Sequence, residues 1–397
     1  MKQNLITKNP VKILEQRKSD FAQVKKEDAL DTFRSIQMPR EKGEDFRYTH
    51  IEKFKFEHFE PFESQVKIEV SELSDELLKN GVIFTDINTA LEKYPAAMNY
   101  FFKSASADKD KFIALNAAYF SNGYFLHVPK NVEIKEPIRV NFHLEGKTGI
   151  LHNIVVAEAN SQFDVIEEYS NNEINEEQLN VPITEIFASN NSRVNFYHLG
   201  SWTKNVYSLA RLIGTAERNA SINWISGCFG GKLNRLKIDT LFNGQGSSCS
   251  NLGIFLGKGN EHIDFTTNVY HNAENTQNDI LVDGILKDES SSVYRGLIKI
   301  PKEGQKTNSY LANHILKLGD KTLANSIPSL KIDANDVKAS HGATVGQINE
   351  EHLFYLESRG LSRQEAEKLI VEGFFEPIIQ KIPLEELREK IRGMVRG

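Results

Sequence analysis

Apolar and polar positions repeat with different periods in three zones of this 397-residue chain. Up to about residue 110 the chain is rich in charge and helix formers, which predicts an N-terminal helical domain over 1–110. Asn9 and Pro10 set an N-cap followed by proline at the first helical position. They predict a helix through about Lys26, with Ile13, Leu14, Arg17, Phe21 and Val24 near helical spacing. Ser71 to Gly81 predicts a short helix that ends on the Asn80-Gly81 C-cap signal.

Between 111 and 348 the period falls to two. Ile138 to Leu144 and Arg193 to Leu199 alternate apolar and polar, and Ser221 to Ile225 does so less strictly. That period predicts strands with one face buried. Small polar turns precede many of them: Asn160-Ser161, Asn190-Asn191-Ser192, Asn219-Ala220-Ser221, Gly246-Ser247-Ser248 and Glu289 to Ser292. The first four recur at roughly 26–31 residues, the mark of stacked rungs. No convincing helix interrupts the zone, which argues against βαβ units. The expectation is a mainly β chain with a β-solenoid core over 111–348, each rung burying its inward face on the next.

From 349 to 397 the pattern turns helical again. Asn349 is placed to cap a helix over Glu350 to Arg359, stopped by Gly360. Ser362 and Glu365 form a capping box, after which Ala366, Leu369, Ile370, Gly373 and Phe374 make one stripe, ended by Pro377. A third segment opens at Pro383 and carries Leu384, Leu387, Ile391 and Met394 on one face. A C-terminal helical domain therefore closes the chain, packing its stripe on itself and on the end of the solenoid.

Composition narrows the function. Apolar residues make up 40% and charged residues 26%, the balance of a globular chain with a large core. A net charge of −6 supplies no basic field for nucleic acid. Only Cys228 and Cys249 occur, which excludes a disulfide scaffold and any four-cysteine cluster site within one chain. No apolar leader follows the basic N-terminus, and no run approaches the roughly 20 apolar residues that span a bilayer. The expectation is a cytoplasmic, reduced chain with no membrane segment.

The stretch Asp336-Val337-Lys338-Ala339-Ser340-His341-Gly342-Ala343-Thr344-Val345-Gly346 is followed by Leu353-Phe354-Tyr355-Leu356-Glu357-Ser358-Arg359-Gly360-Leu361. Together they resemble the signature of the SufB/SufD family of iron–sulfur cluster assembly proteins, on its SufD side. Ile327 to Ile332, Tyr294-Arg295-Gly296, Leu256 to Gly259, Met38 to Glu41 and Glu44 to Thr49 are also similar to family segments, so the resemblance spans nearly the whole chain. It implies a right-handed parallel β-helix core between N- and C-terminal helical domains. It also implies a scaffold and not an enzyme. The core would pair with a SufB-like paralogue as a heterodimer or, alternatively, with a second copy as a homodimer. The C-terminal helices would dock a SufC-type ATPase of the ABC class, whose dimerisation deforms the pair. The cluster would be transient and shared with the partner chain, with none bound by this chain alone.

Within that resemblance His341 is the cluster or iron ligand, a neutral imidazole being a good borderline ligand for iron. From chemistry alone, a structural histidine bonded to backbone at the solenoid's end fits as well. The chain departs from the family at Ala339, commonly cysteine in SufD proteins, and at Gly342, where SufB carries a glutamate. No cysteine follows Cys249, so one ligand is offered and a partner is needed. Leu353, Phe354, Tyr355, Leu356, Arg359 and Phe375 are the docking residues the resemblance implies, with Phe354, Tyr355 or Phe375 as exposed aromatics. Amphipathicity alone fits a core role equally. Gly373 to Pro377 and Ile382-Pro383 resemble the SufB C-terminus instead.

Other candidates are weaker. Cys228 and Cys249 read more readily as buried small hydrophobes than as reactive thiols. His262, Asp264, His271 and His314 are a loose metal-like set without a defined third-ligand spacing. Gly146-Lys147-Thr148 lacks the first glycine of a phosphate loop and precedes a strand; Gly244 to Cys249 fails the dinucleotide pattern. A carbohydrate-active β-helix enzyme using Asp264, Asp279 or Asp283 is the distant alternative.

Overall fold

The computed structural model describes residues 11–13, 20–39, 43–49, 51, 54–108 and 110–396. From Thr148 onward, strands of ten or eleven residues alternate between two sheets, and each pairs in parallel with the strand two further along the chain. The result is the expected β-solenoid, of about 8 turns, with helices before and after it. The first sheet has ten strands and ends on Thr307–Lys317 and Val337–Gln347; the second has nine and ends on Ser291–Ile300 and Leu323–Ile332. Antiparallel pairing is confined to the start, where Val11–Ile13, Val66–Ser71 and Ile83–Asp86 join the sheet edges.

The recurring polar turns are the corners of this coil. Asn131, Asn160, Asn191, Asn219 and Asn275 all hold positive φ, between 55° and 65°, as does Gly246 at 77°. Asparagine tolerates that region better than any branched residue. Their side chains form a ladder: Asn160 donates to Asn131 at 2.7 Å, Asn191 to Asn160 at 3.0 Å and Asn219 to Asn191 at 3.2 Å. The following hydroxyl closes the turn, Ser161 and Ser192 each donating at 2.7 Å to the carbonyl three residues back. Ser290 does the same at the opposite corner, donating to the Lys287 carbonyl after Asp288.

Inside, in-register pairing stacks side chains into columns. Ile138, Val165, Phe196, Trp224, Asn251, Ile280 and Leu311 form one such column, every member buried. Glu167 is the centre of a polar network inside the coil. Glu167, fully buried, accepts from Tyr124 at 2.9 Å, Asn153 at 3.0 Å, Tyr169 at 3.0 Å and Thr184 at 3.0 Å.

Both outer faces are covered along most of their length. The N-terminal region lays Phe46, Phe54, Phe59, Phe112 and Leu115 on Ile150, Ile154, Val181 and Leu209 of the second sheet. The C-terminal helices lay Val371, Phe375, Ile378, Leu387 and Ile391 on Ile166, Leu199, Ile225 and Ile254 of the first. This placement corrects the expectation that they pack on the solenoid's end. The apolar residues they cover point outward from the first sheet, and burying them offers more area than the narrow end of the coil.

Three local expectations are also corrected. Asn9 and Pro10 lie outside the described residues, and Val11–Ile13 is an edge strand, with the helix beginning at Asp20 and ending at Ser35. Strand pairing with Glu69 to Ser71 satisfies the backbone there. A helix, Lys111–Tyr119, opens the zone read as free of helices; Asp110 caps it, accepting from Phe112 and Ile113. Pro377 sits inside the helix Arg363–Ile379 instead of ending it. Burial of Ile378 and Ile379 carries the chain past a missing donor so close to the C-terminus. The capping box at Ser362 and the Asn349 cap are present as expected.

Candidate functional site

Among the described residues the last rung has no successor. Val337–Gln347 and Leu323–Ile332 pair on one side only, so both sheets end in an open backbone edge. His341 pairs in register with Leu311, which places it on the inward face, as the last member of the hydrophobic column above. Leu311 is fully buried and His341 is exposed, because no further rung covers it. The same alternation puts Val337, Ala339, Ala343 and Val345 on the inward face beside it. On the facing strand, Ala324, Ser326, Pro328, Leu330 and Ile332 continue inward columns of the second sheet. The end of the solenoid is thus a half-exposed apolar surface, Val345 at 44%, with one imidazole near its middle. One rung below, buried Asn313 donates to the Val282 carbonyl and accepts from Ser326 at 2.8 Å.

The loose metal-like set does not converge. His314 points to the opposite, outer face, where its Nδ1 lies 2.8 Å from Asp283. Burial raises the Asp283 carboxyl, with His314 and Lys381 working against it. His262 bonds Ser291 at 2.7 Å; His271 bonds Thr276 at 2.7 Å and Asn278 at 2.8 Å, and burial holds it down to about 4. Among the described residues no group of three or more His, Cys, Asp or Glu side chains comes together. Both cysteines are buried, and burial pushes the Cys249 thiol up to about 12 and Cys228 higher still. Lys147 pairs with Glu176 at 3.4 Å, and Thr148 opens a strand.

The C-terminal helices sort the expected docking residues. Phe354 is 72% exposed and Tyr355 56%, and the Arg359 guanidinium lies over the Tyr355 ring at 5.2 Å. Leu356 is half-buried. Leu353 and Phe375 are fully buried, which corrects their place on a docking surface: they pin their helices to the molecule itself. Leu369, read with the core stripe, is 51% exposed, while Val371, Phe375, Ile378 and Ile379 face inward. Both sides of that helix are apolar, so spacing alone selects neither face. The exposed set is Phe354, Tyr355, Arg359 and Leu369.

One feature escaped the sequence reading. Glu44 to Thr49 forms a strap across the outer face of the second sheet. There Asp264, fully buried, bonds Thr49 at 2.6 Å and Arg295 at 2.8 Å, and also bonds Arg235. Burial works to raise the Asp264 carboxyl, but Arg235 and Arg295 prevail and hold it below the usual range. The two guanidinium groups also donate to the Asp45 and Arg47 carbonyls, and Phe46 stacks under Arg235 at 3.9 Å. Asp264 is therefore committed to a clamp, and Asp279 and Asp283 lie on the other sheet. Asp279 and Asp283 share the outer face of one strand but stand four residues, roughly 13 Å, apart, farther than paired glycosidase carboxylates. Arginine and aspartate at alternate strand positions, 235, 264 and 295, were the available signal, visible only once the rung length is fixed.

Comparison with known proteins places two family descriptions on this chain. The family description "SUF system FeS cluster assembly, SufBD core domain" matches residues 142–374, and "SufBD protein N-terminal region" matches residues 64–140. The chain is 31% identical to the iron–sulfur cluster assembly protein SufD of Bacillus subtilis, over 81% of this chain and 75% of that one. It is 30% identical to an iron–sulfur cluster assembly SufBD family protein of Staphylococcus saprophyticus, over 79% and 68% respectively.

Proposed function

The chain belongs to the SufBD family of iron–sulfur cluster assembly proteins, and from that premise we propose that it is a SufD-type scaffold subunit whose open solenoid end pairs with a SufB-like chain. His341 supplies a ligand at that junction to iron or to a nascent cluster. The observation that carries the reading is an inward-facing histidine left exposed at the uncapped end of an otherwise buried column. An open double edge lined by apolar residues favours strand addition by another chain, with main-chain hydrogen bonds giving affinity. A single imidazole cannot complete a coordination sphere, so the partner supplies the remaining ligands.

The exposed Phe354, Tyr355, Arg359 and Leu369 form the dock for a SufC-type ATPase, in keeping with aromatic and arginine side chains as interface anchors. The chain acts in the cytoplasm as an assembly component and carries out no catalysis of its own. No helix among the described residues is long and apolar enough to cross a membrane.

Co-expression with the cognate SufB and SufC chains tests the pairing: a stable complex is expected, and its absence sinks the reading. His341→Ala is expected to leave complex formation intact while iron and sulfide recovered on the purified complex fall several-fold. Wild-type loading in that variant removes His341 from the site. Recovery of a homodimer alone, indifferent to the SufB chain, assigns the open end to self-pairing instead.

A further inference from the structure

Beside the strap lies a cleft of about 540 Å³ between Glu44, Asp45 and Arg47 on one side and the last strands of the second sheet on the other. Its depth is lined by Lys237, Thr266, Asn268 and Arg295, each more than nine-tenths buried. These are answered internally: Arg295 by Asp264 at 2.8 Å, Lys237 by Asp45 at 3.2 Å and Asn268 by Asp239 at 2.7 Å. Its mouth is not. Tyr270 and Lys331 line it there, and Lys299, in register between them on the intervening strand, shares their face. Lysines directly opposite one another across a strand pair repel. Neither ammonium has an ion pair or hydrogen bond with any described residue, and neither do the Tyr270 and Ser329 hydroxyls. Arg47 lines the same cleft from the strap.

We propose that this cleft is a binding site for a small phosphate-bearing anion, held by Lys331 and Arg47 with the hydroxyls of Tyr270 and Ser329 as donors and the charge of Lys299 beside it. A doubly charged phosphate group relieves the Lys299–Lys331 repulsion and accepts from several donors at once, which a single carboxylate does less well. Burial pushes the Tyr270 hydroxyl up to about 12, so it stays a donor at neutral pH. The volume suits a small phosphorylated molecule, not a macromolecule. Glu44, at the rim, opposes anion binding and is the built-in control. The site bridges the strap to the terminal strand Leu323–Ile332 but does not depend on what pairs with the open end.

Isothermal titration of the full chain at about 50 mM salt, where screening is weak, tests this with pyrophosphate, inorganic phosphate and citrate as probes. Saturable binding is expected, pyrophosphate tighter than phosphate. Lys331→Gln and Arg47→Gln should each weaken it by about tenfold, the value of one charge-assisted contact. Glu44→Gln should tighten it, and Lys79→Gln, on a distant helix, should change nothing. These positions are exposed, and unchanged thermal unfolding verifies that the variants fold. No saturable binding by any probe overturns the proposal, as does wild-type affinity in both Lys331→Gln and Arg47→Gln. Tighter binding of citrate than of pyrophosphate overturns the assignment to phosphate.

Discussion

Glu167 and His341 occupy comparable places, both inward-facing on the first sheet, one near the start of the coil and one on its last rung. Glu167 is enclosed by donors from its own strand and from Tyr124, Asn153 and Thr184 of the second sheet. His341 meets the next rung's absence. The same side-chain direction thus yields a sealed structural network in one place and an available ligand in the other. What separates them is whether a successor rung is present, since each rung of a solenoid is completed only by its neighbours.

Substitutions along the two regions should fall into a steep order. Trp224→Ala, in the middle of the sealed column, removes a fully buried indole whose Nε1 donates to Thr240 at 2.9 Å. It should cost about 4 kcal/mol in urea unfolding. Glu167→Ala strands four donors and should cost about 3 kcal/mol, with Glu167→Gln milder. A loss below about 1 kcal/mol for the alanine variant would mean that water reaches this network and that the coil is not sealed there.

The pH dependence sharpens the contrast further. Burial lowers His271 to about 4 in the folded chain, against about 6.5 when unfolded. Between those values the unfolded chain binds a proton that the native one refuses, so stability rises with pH there. The stabilisation is whole above about pH 6.5 and is lost as pH falls toward 4, by about 3.4 kcal/mol at most. Unfolding free energies at pH 7 and pH 5 should show this slope in the wild type and a shallower one in His271→Gln. Equal slopes would assign the acid sensitivity elsewhere.

The smallest stability effects belong to the open rung. His341→Ala and Val345→Asp should each change the unfolding free energy by no more than about 0.5 kcal/mol, as exposed positions do. Val345→Asp should nonetheless impair pairing with the SufB-like chain, measured by the fraction of complex recovered on size exclusion. Full recovery with Val345→Asp would place the interface away from this end.

Much of the fold was legible because its rules are local. A corner needs a residue that accepts positive φ and a hydroxyl that closes on the turn, and Asn160-Ser161 and Asn191-Ser192 announce both. Alternation at Ile138 to Leu144 announces one buried face. The N-terminal edge strand was misread because Ile13 also opens a run at near-helical spacing through Arg17, Phe21 and Val24, although Val11 and Ile13 alternate as in a strand. The strap was missed because Arg235, Asp264 and Arg295 meet only when strands 29 and 31 residues apart are laid side by side.

The sequence by itself determined the polar corners of the coil, the caps at Asn349 and Ser362 and the motif around His341, since each depends on residues close in the chain. The tertiary structure decided which outer face each helical region covers, which side of the helix Arg363–Ile379 is buried, and that Leu353 and Phe375 are core while Phe354 and Tyr355 are surface. It also decided that His341 stands exposed in an inward position. Burial is a property of the whole stack, and only the stack shows where it stops.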